Sequence, residues 1–430
     1  MPANTETHPS PDSDSVLSHL PFSLFWRARV ASTVANQMQI VAVGWQVYQM
    51  TGSAFDLGIV GLVQFLPALF LALVVGHVAD RYDRRQIARI CLFIEGIAAA
   101  ILALGSIQGW LSKDAIFVIV FIIGATRAFE SPTMQALVPG LVPARLLPRA
   151  VAWAASATQT AVIIGPALGG FIYALGASAV YAISSAAFII ASVLVNRIRI
   201  ETVLPKREPA TLTSLFAGIA FIKSRPAVLG AISLDLFAVL LGGATALLPI
   251  FAHDILATGP LGLGLLRSAP AIGALSVGLY LTRRPLTKRV GRSMFIAVAI
   301  FGVATVVFAL SRSMALSLVA LVILGASDMI SVVVRSSFVQ LQTPDAMRGR
   351  VSAVNSVFVG TSNQLGEFES GITASWVGPV PAVMIGGIGT IIVVALWIRL
   401  FPELFKVDRL TDPSTTTEHA PPSQRKRASN

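Results

Sequence analysis

Cysteine occurs once, at Cys91 inside an apolar run. One thiol can neither close a disulfide within the chain nor supply a thiolate metal set. Charge is scarce as well: Asp, Glu, Lys and Arg make up 12% of the residues. No polar stretch is long enough to build a soluble catalytic domain, and no acid–base or nucleophilic cluster recurs, so no enzyme and no catalytic residue is expected. The Gly-x-x-x-x-Gly-Lys-Ser/Thr pattern that cradles nucleotide phosphates is missing, which excludes ATP as an expected partner. The five histidines are scattered and form no grouping with metal-ligand spacing, so no metal or other cofactor is expected.

What fills the chain is hydrocarbon. Of the 430 residues, 55% are hydrophobic, and the mean hydropathy is +0.76. Apolar stretches run at about 22–49, 55–79, 87–108, 114–138, 148–175 and 178–198, then at 227–252, 260–282, 292–311, 314–341, 350–376 and 379–401. Each holds about 20 residues or more, enough at ~1.5 Å per residue to cross a ~30 Å hydrocarbon core. The expected class is an all-α membrane protein with twelve transmembrane helices in two pseudo-symmetric six-helix bundles.

Loop charges set the expected orientation. Arg81, Arg84, Arg85 and Arg89 occupy the second connection, Arg145 and Arg149 the fourth, and Arg348 and Arg350 the tenth. The sixth and eighth are equally basic, whereas the odd-numbered connections offer only Lys113 and Arg312. Positive charge stays on the side from which helices insert, so both termini are expected in the cytoplasm of a cell (inner) membrane protein. The same pattern accounts for the net charge of +11 without a nucleic-acid partner. Residues 1–20 and 406–430 are expected to be disordered cytoplasmic segments, with bundles over 21–198 and 227–405. The connector 199–226 carries Leu212, Leu215, Phe216, Ile219 and Ile222 at helical spacing, an amphipathic helix for the inner membrane surface. No cleavable leader is expected before the first span.

The two halves repeat at an offset of about 201 residues: Gly124 aligns with Gly325, Pro143 with Pro344, Arg149 with Arg350, Gly165 with Gly366 and Gly170 with Gly371. A duplicated six-span unit is the pattern of a transporter whose halves rock about a central site. Asn36, Gln37, Gln39 and Gln46 in the first span are too many amides for a lipid-facing helix and suggest the wall of a polar cavity.

Between the second and third spans stands Gly76-His77-Val78-Ala79-Asp80-Arg81-Tyr82-Asp83-Arg84-Arg85. This Gly-x-x-x-Asp-Arg-x-x-Arg-Arg loop resembles the signature of the major facilitator superfamily, with Asp83 where that family often has glycine. The resemblance implies a cytoplasmic gate made by Gly76, Asp80, Arg81, Arg84 and Arg85. In the fifth span, Gly165-Pro166-Ala167-Leu168-Gly169-Gly170 is similar to the motif of the superfamily's antiporters, with Ala161 at a position often held by glycine. Pro166 removes a backbone donor, and Gly165 and Gly169 permit close helix approach. Gly349–Asn355, Gly366–Gly371, Phe129–Pro132 and Leu234–Phe237 resemble the branch of enterobactin-exporter-like proteins. The resemblance covers nearly all of residues 22–405. It implies export of a small, partly apolar, siderophore-like molecule against inward proton flow, through a cavity walled by the first, fourth, seventh and tenth spans. A multidrug-type exporter or a proton-coupled importer uses the same machinery.

Charges inside the spans are Glu95, Arg127, Glu130, Asp235, Arg267, Asp328, Arg335, Glu367 and Glu369. Each is costly in lipid and must face a partner or a wet cavity. Arg127 and Glu130, at i and i+3, can pair on one helix. Asp328 and Arg335 share a face two turns apart, and Arg335 stands near enough to the cytoplasmic end to snorkel. Glu367 and Glu369 replace Pro166 and Leu168 in the repeat, where they either stabilise closure or carry protons. Asp235 lies nine residues past Pro226, about 14 Å deep, and none of its neighbours at i±3 and i±4 can neutralise it. It is the first candidate for the proton and Glu130 the second; the alternative is a structural lock between Asp235 and Arg127 or Arg335. Asp80→Asn is expected to leave the chain inserted but to favour the inward-open state and cut transport sharply. Normal transport by a well-expressed variant would remove Asp80 from the gate.

Overall fold

A computed structural model describes residues 15–199 and 212–408, apart from the side chains of a few positions that include Gly76, His77, Asp80, Leu212–Phe216 and Asp345. Helices form throughout, and no strand occurs among the described residues. The first six long helices are α1 (Leu20–Thr51), α2 (Ala54–Arg81), α3 (Arg84–Gln108), α4 (Lys113–Leu137), α5 (Leu147–Ile172) and α6 (Ala177–Asn196). The connector helix α7 (Leu212–Ser224) follows, then α8 (Pro226–Leu241) and the short α9 (Leu248–Ile250). The chain continues through α10 (Gly259–Arg283), α11 (Val290–Leu310), α12 (Met314–Gln342), α13 (Asp345–Val377), α14 (Pro379–Leu400) and α15 (Pro402–Lys406). Among the described residues, ten helical segments are long and apolar enough to cross a membrane. The 32-residue α1 and 33-residue α13 are not among them, because both carry amides and charges along their length.

Outward faces are apolar: Phe70 is 72% exposed, Ile107 68% and Leu175 80%. Such a belt has no place in water and suits lipid. Turns between helices are made by polar caps. The Ser53 side chain accepts from the Asp56 N–H to start α2, and Ser112 accepts from Ala115 to start α4. Asp83 does the same for α3, accepting from the Arg85 N–H at 2.9 Å. The acid that departs from the family's loop pattern is thus the cap of the third helix.

Ordered structure extends into both segments expected as tails, over residues 15–20 and 406–408. Val16 is buried beside Phe22 and Phe25, so the ordered chain starts before residue 21. At the other end, the Asp408 carboxylate accepts from the Arg289 N–H and the Val407 carbonyl from the Gly291 N–H, which ties residues 406–408 to the start of α11. The remainder of both tails, 1–14 and 409–430, and residues 200–211 of the connector lie outside the described residues. Within the connector, α7 packs on α13 and α8, with Ile222 buried.

The seventh apolar stretch is not one continuous helix. It breaks at Gly242-Gly243, continues as a 3-10 turn over Ala244–Leu247, and ends in a π-helical turn over Phe251–Ile255. Paired glycines are poor helix formers, and here a side chain at Gly243 would collide with the Gly366 carbonyl of α13.

Helices α1, α5 and α6 pack together, as do α3, α4 and α6; α10, α12, α11 and α14 form a second connected group. The two groups meet along α2–α13 and α5–α10. Glycines set that approach. A methyl group on Gly371 would sit 2.6 Å from the Gly58 Cα, and methyls on Gly170 and Gly264 would strike the α10 and α5 backbones. These contacts lie toward the end of the molecule opposite the arginine-rich loops. By contrast Gly349 and Gly360, nearer the basic end of α13, face nothing within 4 Å. Gly169 packs within the first group: a methyl there would stand 2.8 Å from the Met38 Cα. Gly169→Leu is expected to overpack this contact, lowering stability by about 1–3 kcal/mol and trapping one conformation. Thermal unfolding in detergent together with transport would show it, and unchanged values of both would make the glycine incidental.

Candidate functional site: a polar cavity between the two helix groups

A cavity of ≈ 130 Å³ lies where α1, α2 and α4 face α10, α13 and the 3-10 turn after α8. One side is apolar, with Ile40, Val43, Leu57, Val60, Val120 and Ile123. The other carries Asn36, Gln39, Gln64, Arg267, Gln364 and Glu367. Asn36 and Gln39 are 5% and 4% exposed, as expected of amides that wall a cavity rather than face lipid. Both polar atoms of the Gln39 side chain, the Arg267 Nε and the Gln364 Oε1 are buried without a hydrogen-bond partner among the described residues. Leaving such groups unpaired is costly, and a site that does so is prepared for something else. Arg267 and Glu367 feel each other's charge but make no ion pair within 4.0 Å. Gly61 makes room for the acid: a methyl group there would stand 2.9 Å from the Glu367 Oε2.

Deeper toward the basic end, each helix group holds one ion pair, partly buried in the first group and buried in the second. Arg29 of α1 meets Glu130 of α4 at 3.4 Å, and Arg335 of α12 meets Asp235 of α8 at 3.2 Å. The depths match. Arg29 is nine residues past the start of α1 and Asp235 nine past the start of α8. Glu130 is seven residues before the end of α4 and Arg335 seven before the end of α12. The signs are inverted, with the base on the first helix of one group and the acid on the first helix of the other.

These pairs bear on three sequence expectations. Asp235 is paired with Arg335, the partner named in the alternative to a free proton carrier, and Arg335 Nη1 also donates to Asn355 Oδ1 at 3.1 Å. Arg335 is 4% exposed, too buried to snorkel. Glu130 pairs with Arg29 rather than with Arg127 one turn away, while Arg127 acts electrostatically on Glu95. Asp328 lines a small recess with Asp235, Ser327 and Ser331 and interacts electrostatically with both Asp235 and Arg335. Glu369 accepts from Thr373 on its own helix at 2.7 Å and is not among the residues that line the cavity.

The loop arginines are engaged inside their own group. Arg84 Nη1 donates to the Ala136 carbonyl at 3.5 Å and Arg85 Nη1 to the Ile198 carbonyl at 2.6 Å, while Arg81 is exposed. The side chains of Gly76 and Asp80 lie outside the described residues. In α5, Gly165 abuts Gln37 of α1, whereas Pro166 and Gly170 meet α10.

A polar seal at the far end escapes sequence reasoning. Tyr48 of α1 donates to the Asp254 carboxylate, whose other oxygen meets the His253 Nδ1 at 2.5 Å. The Trp45 and Tyr48 rings stand 5.2 Å and 5.6 Å from that of His253. Arg29 stands near the start of the first apolar stretch, where its charge alone does not point to a partner, and Arg267 was visible only as an intramembrane charge without a role. The matched depths of Arg29 and Asp235 were the signal available for the first; nothing in spacing announced the second.

Helices, cavity and paired charges define a helical membrane transporter, and the comparisons agree. Residues 13–425 match the family model described as transmembrane secretion effector. The chain is 28% identical over 408 residues to the enterobactin exporter EntS of Citrobacter koseri, across 94% of this chain and 96% of that one. To EntS of Escherichia coli O1:K1 it is 27% identical over 403 residues, 93% and 96% of the two chains. A bacterial homologue of the human lysosomal transporter Spinster, in an inward-facing and unoccupied conformation, superposes with TM-score 0.70 at 14% identity, covering 95% of this chain and all of that one. A bacterial homologue of the iron transporter ferroportin in an inward-facing state gives 0.69 at 16%, covering 92% and 100%. The chain belongs to the transmembrane secretion effector family of the major facilitator superfamily.

Truncating one partner of a buried pair leaves the other charge stranded. Arg335→Met is therefore expected to cost about 3–5 kcal/mol, and adding Asp235→Asn to recover part of that loss. A double-mutant cycle on thermal unfolding checks it; additive losses would show that the two groups act independently.

Proposed function

We propose that the chain is a twelve-span secondary transporter of two pseudo-symmetric six-helix halves, 21–198 and 227–405, joined by the cytoplasmic connector 199–226. It exports a small, partly apolar molecule by alternating access, driven by inward movement of protons. The observation that carries this reading is the half-apolar cavity between the helix groups, with its buried polar atoms unpartnered. In the orientation read from the loop charges, the glycine contacts and the Tyr48–Asp254 hydrogen bond seal the outer end, so cargo enters from the cytoplasm. Export and a siderophore-like cargo rest on the relatives that are enterobactin exporters.

For coupling, the reading takes Asp235 as the proton carrier and Glu130 as its reserve. A proton on Asp235 cancels the charge that Arg335 holds, freeing α8 from α12 at the depth where the cytoplasmic ends must close. Arg29 and Glu130 provide the same option in the other half. On outward opening, Gly76, Asp80, Arg81, Arg84 and Arg85 latch the cytoplasmic end, while Gly165, Pro166, Gly169 and Gly170 keep the fifth span close to its neighbours.

Comparing the metabolites secreted by cells with and without the chain identifies the cargo, and proteoliposomes then read its flux under an imposed proton gradient. Asp235→Asn is expected to abolish gradient-driven export while preserving cargo binding. Full proton-coupled export by that variant would move the carrier to Glu130, and cargo uptake into cells would reverse the direction and make the chain an importer.

A further inference from the structure

The inventory of unpaired groups in the central cavity specifies a ligand chemistry. Two of them are donors, the Arg267 Nε–H and the Gln39 amide nitrogen; two are acceptors, the Gln39 and Gln364 amide oxygens. Beside them stand opposite charges, Arg267 and Glu367, that share the cavity without bonding to each other. A ligand with only an anionic group would satisfy Arg267 and leave the acceptors empty beside a carboxylate that repels it. A ligand with only a donor would leave the guanidinium and the Gln39 amide unsatisfied. Filling both sets requires an acceptor and a donor on neighbouring atoms of one molecule.

The remaining wall sets the body of that molecule. Ile40, Val43, Leu57 and Val60 face the polar groups. The volume of ≈ 130 Å³ is close to that of cavities of about 150 Å³ known to accept benzene. We propose that this cavity binds a compact apolar group, about one ring in size, that carries an acidic acceptor for Arg267 next to a donor for Glu367. A hydroxy acid and an amino acid both present this chemistry, the donor being a hydroxyl in one and an ammonium in the other. The inference rests on the reading of the cavity as the cargo site of a transporter, and it assigns Arg267, Glu367, Gln39 and Gln364 as the residues that select cargo.

The test uses the full chain in lipid nanodiscs and four probes sharing one ring: mandelate, phenylglycine, phenylacetate with the acid alone, and benzyl alcohol with the donor alone. Equilibrium binding is measured by calorimetry. Mandelate or phenylglycine is expected to bind at least about 10-fold tighter than phenylacetate and than benzyl alcohol, equivalent to ~1.4 kcal/mol. Which of the two wins identifies the donor. Arg267→Met should bring the preferred probe to the level of benzyl alcohol, and Glu367→Met to that of phenylacetate. The wild-type series stands alone if a variant fails to elute as a single species. Equal affinity for phenylacetate and the preferred probe, or no binding of any probe, would overturn the proposal, as would variants that fold and retain the preference. Binding is read without transport, so the preference in a chain that moves nothing keeps the site and removes the transporter reading. Transport of an identified cargo without the preference removes the site alone.

Discussion

A buried polar group in a hydrocarbon slab has no water to fall back on, so every charge and amide in the spans must be matched within the protein or held against a cavity. Nearly every feature of this molecule follows from how that demand is met. Toward lipid the helices present Phe70, Ile107 and Leu175. Within each helix group one ion pair joins two helices, Arg29 with Glu130 and Asp235 with Arg335. Between the groups, Gln39, Gln364 and Arg267 keep unpartnered atoms around a shared space. Each pair ties two helices of its group together, and the unpartnered atoms around the shared space give the cavity its polar wall.

The shape of that space comes from glycine. Gly58 against Gly371, and Gly170 and Gly264 against the backbones of α10 and α5, bring the two groups into near contact at one end. A side chain at any of those positions would collide with the facing helix. The cavity lies just inside this seal, and Gly61 leaves its Glu367 carboxylate room to stand there. At Gly242-Gly243 the seventh span breaks, which lets α13 approach through Gly366 and places Ala246 in the cavity wall. Interior helix breaks are tolerated in membrane proteins where they line a cavity.

The two ion pairs stand at matching counts from their helix ends but not at the repeat's offset: Arg29 and Asp235 are 206 residues apart and Glu130 and Arg335 205, against about 201 for the aligned glycines and prolines. In one group the pair joins α1 to α4 and in the other α8 to α12, at equal depth from the helix ends. A pair is neutral whichever helix supplies the base, so either polarity satisfies the burial constraint within a half. The inversion sets an arginine on the first helix of one group at the depth of an aspartate on the first helix of the other.

Periodicity and composition determined the helices, because an apolar run of about 20 residues has few other fates and the boundaries carry their own caps. The positions of α1 to α6 and α10 to α14 agree with the apolar stretches to within a few residues. The loop arginines and the Gly-Pro-x-x-Gly-Gly run were enough to indicate the superfamily. The polar wall was partly legible too, since Asn36 and Gln39 stand in a span where lipid would exclude them. Pairing was not. Asp235 is reached by Arg335 from a helix 100 residues away, and Glu130 by Arg29 rather than by Arg127 one turn along its own helix. Arg267, Glu367 and Gln364 come from α10 and α13, and only the packing of α2 on α13 and α5 on α10 sets them around one space with Gln39. Helical spacing reports which residues share a face, whereas the partner across that face depends on how the helices are arranged about one another.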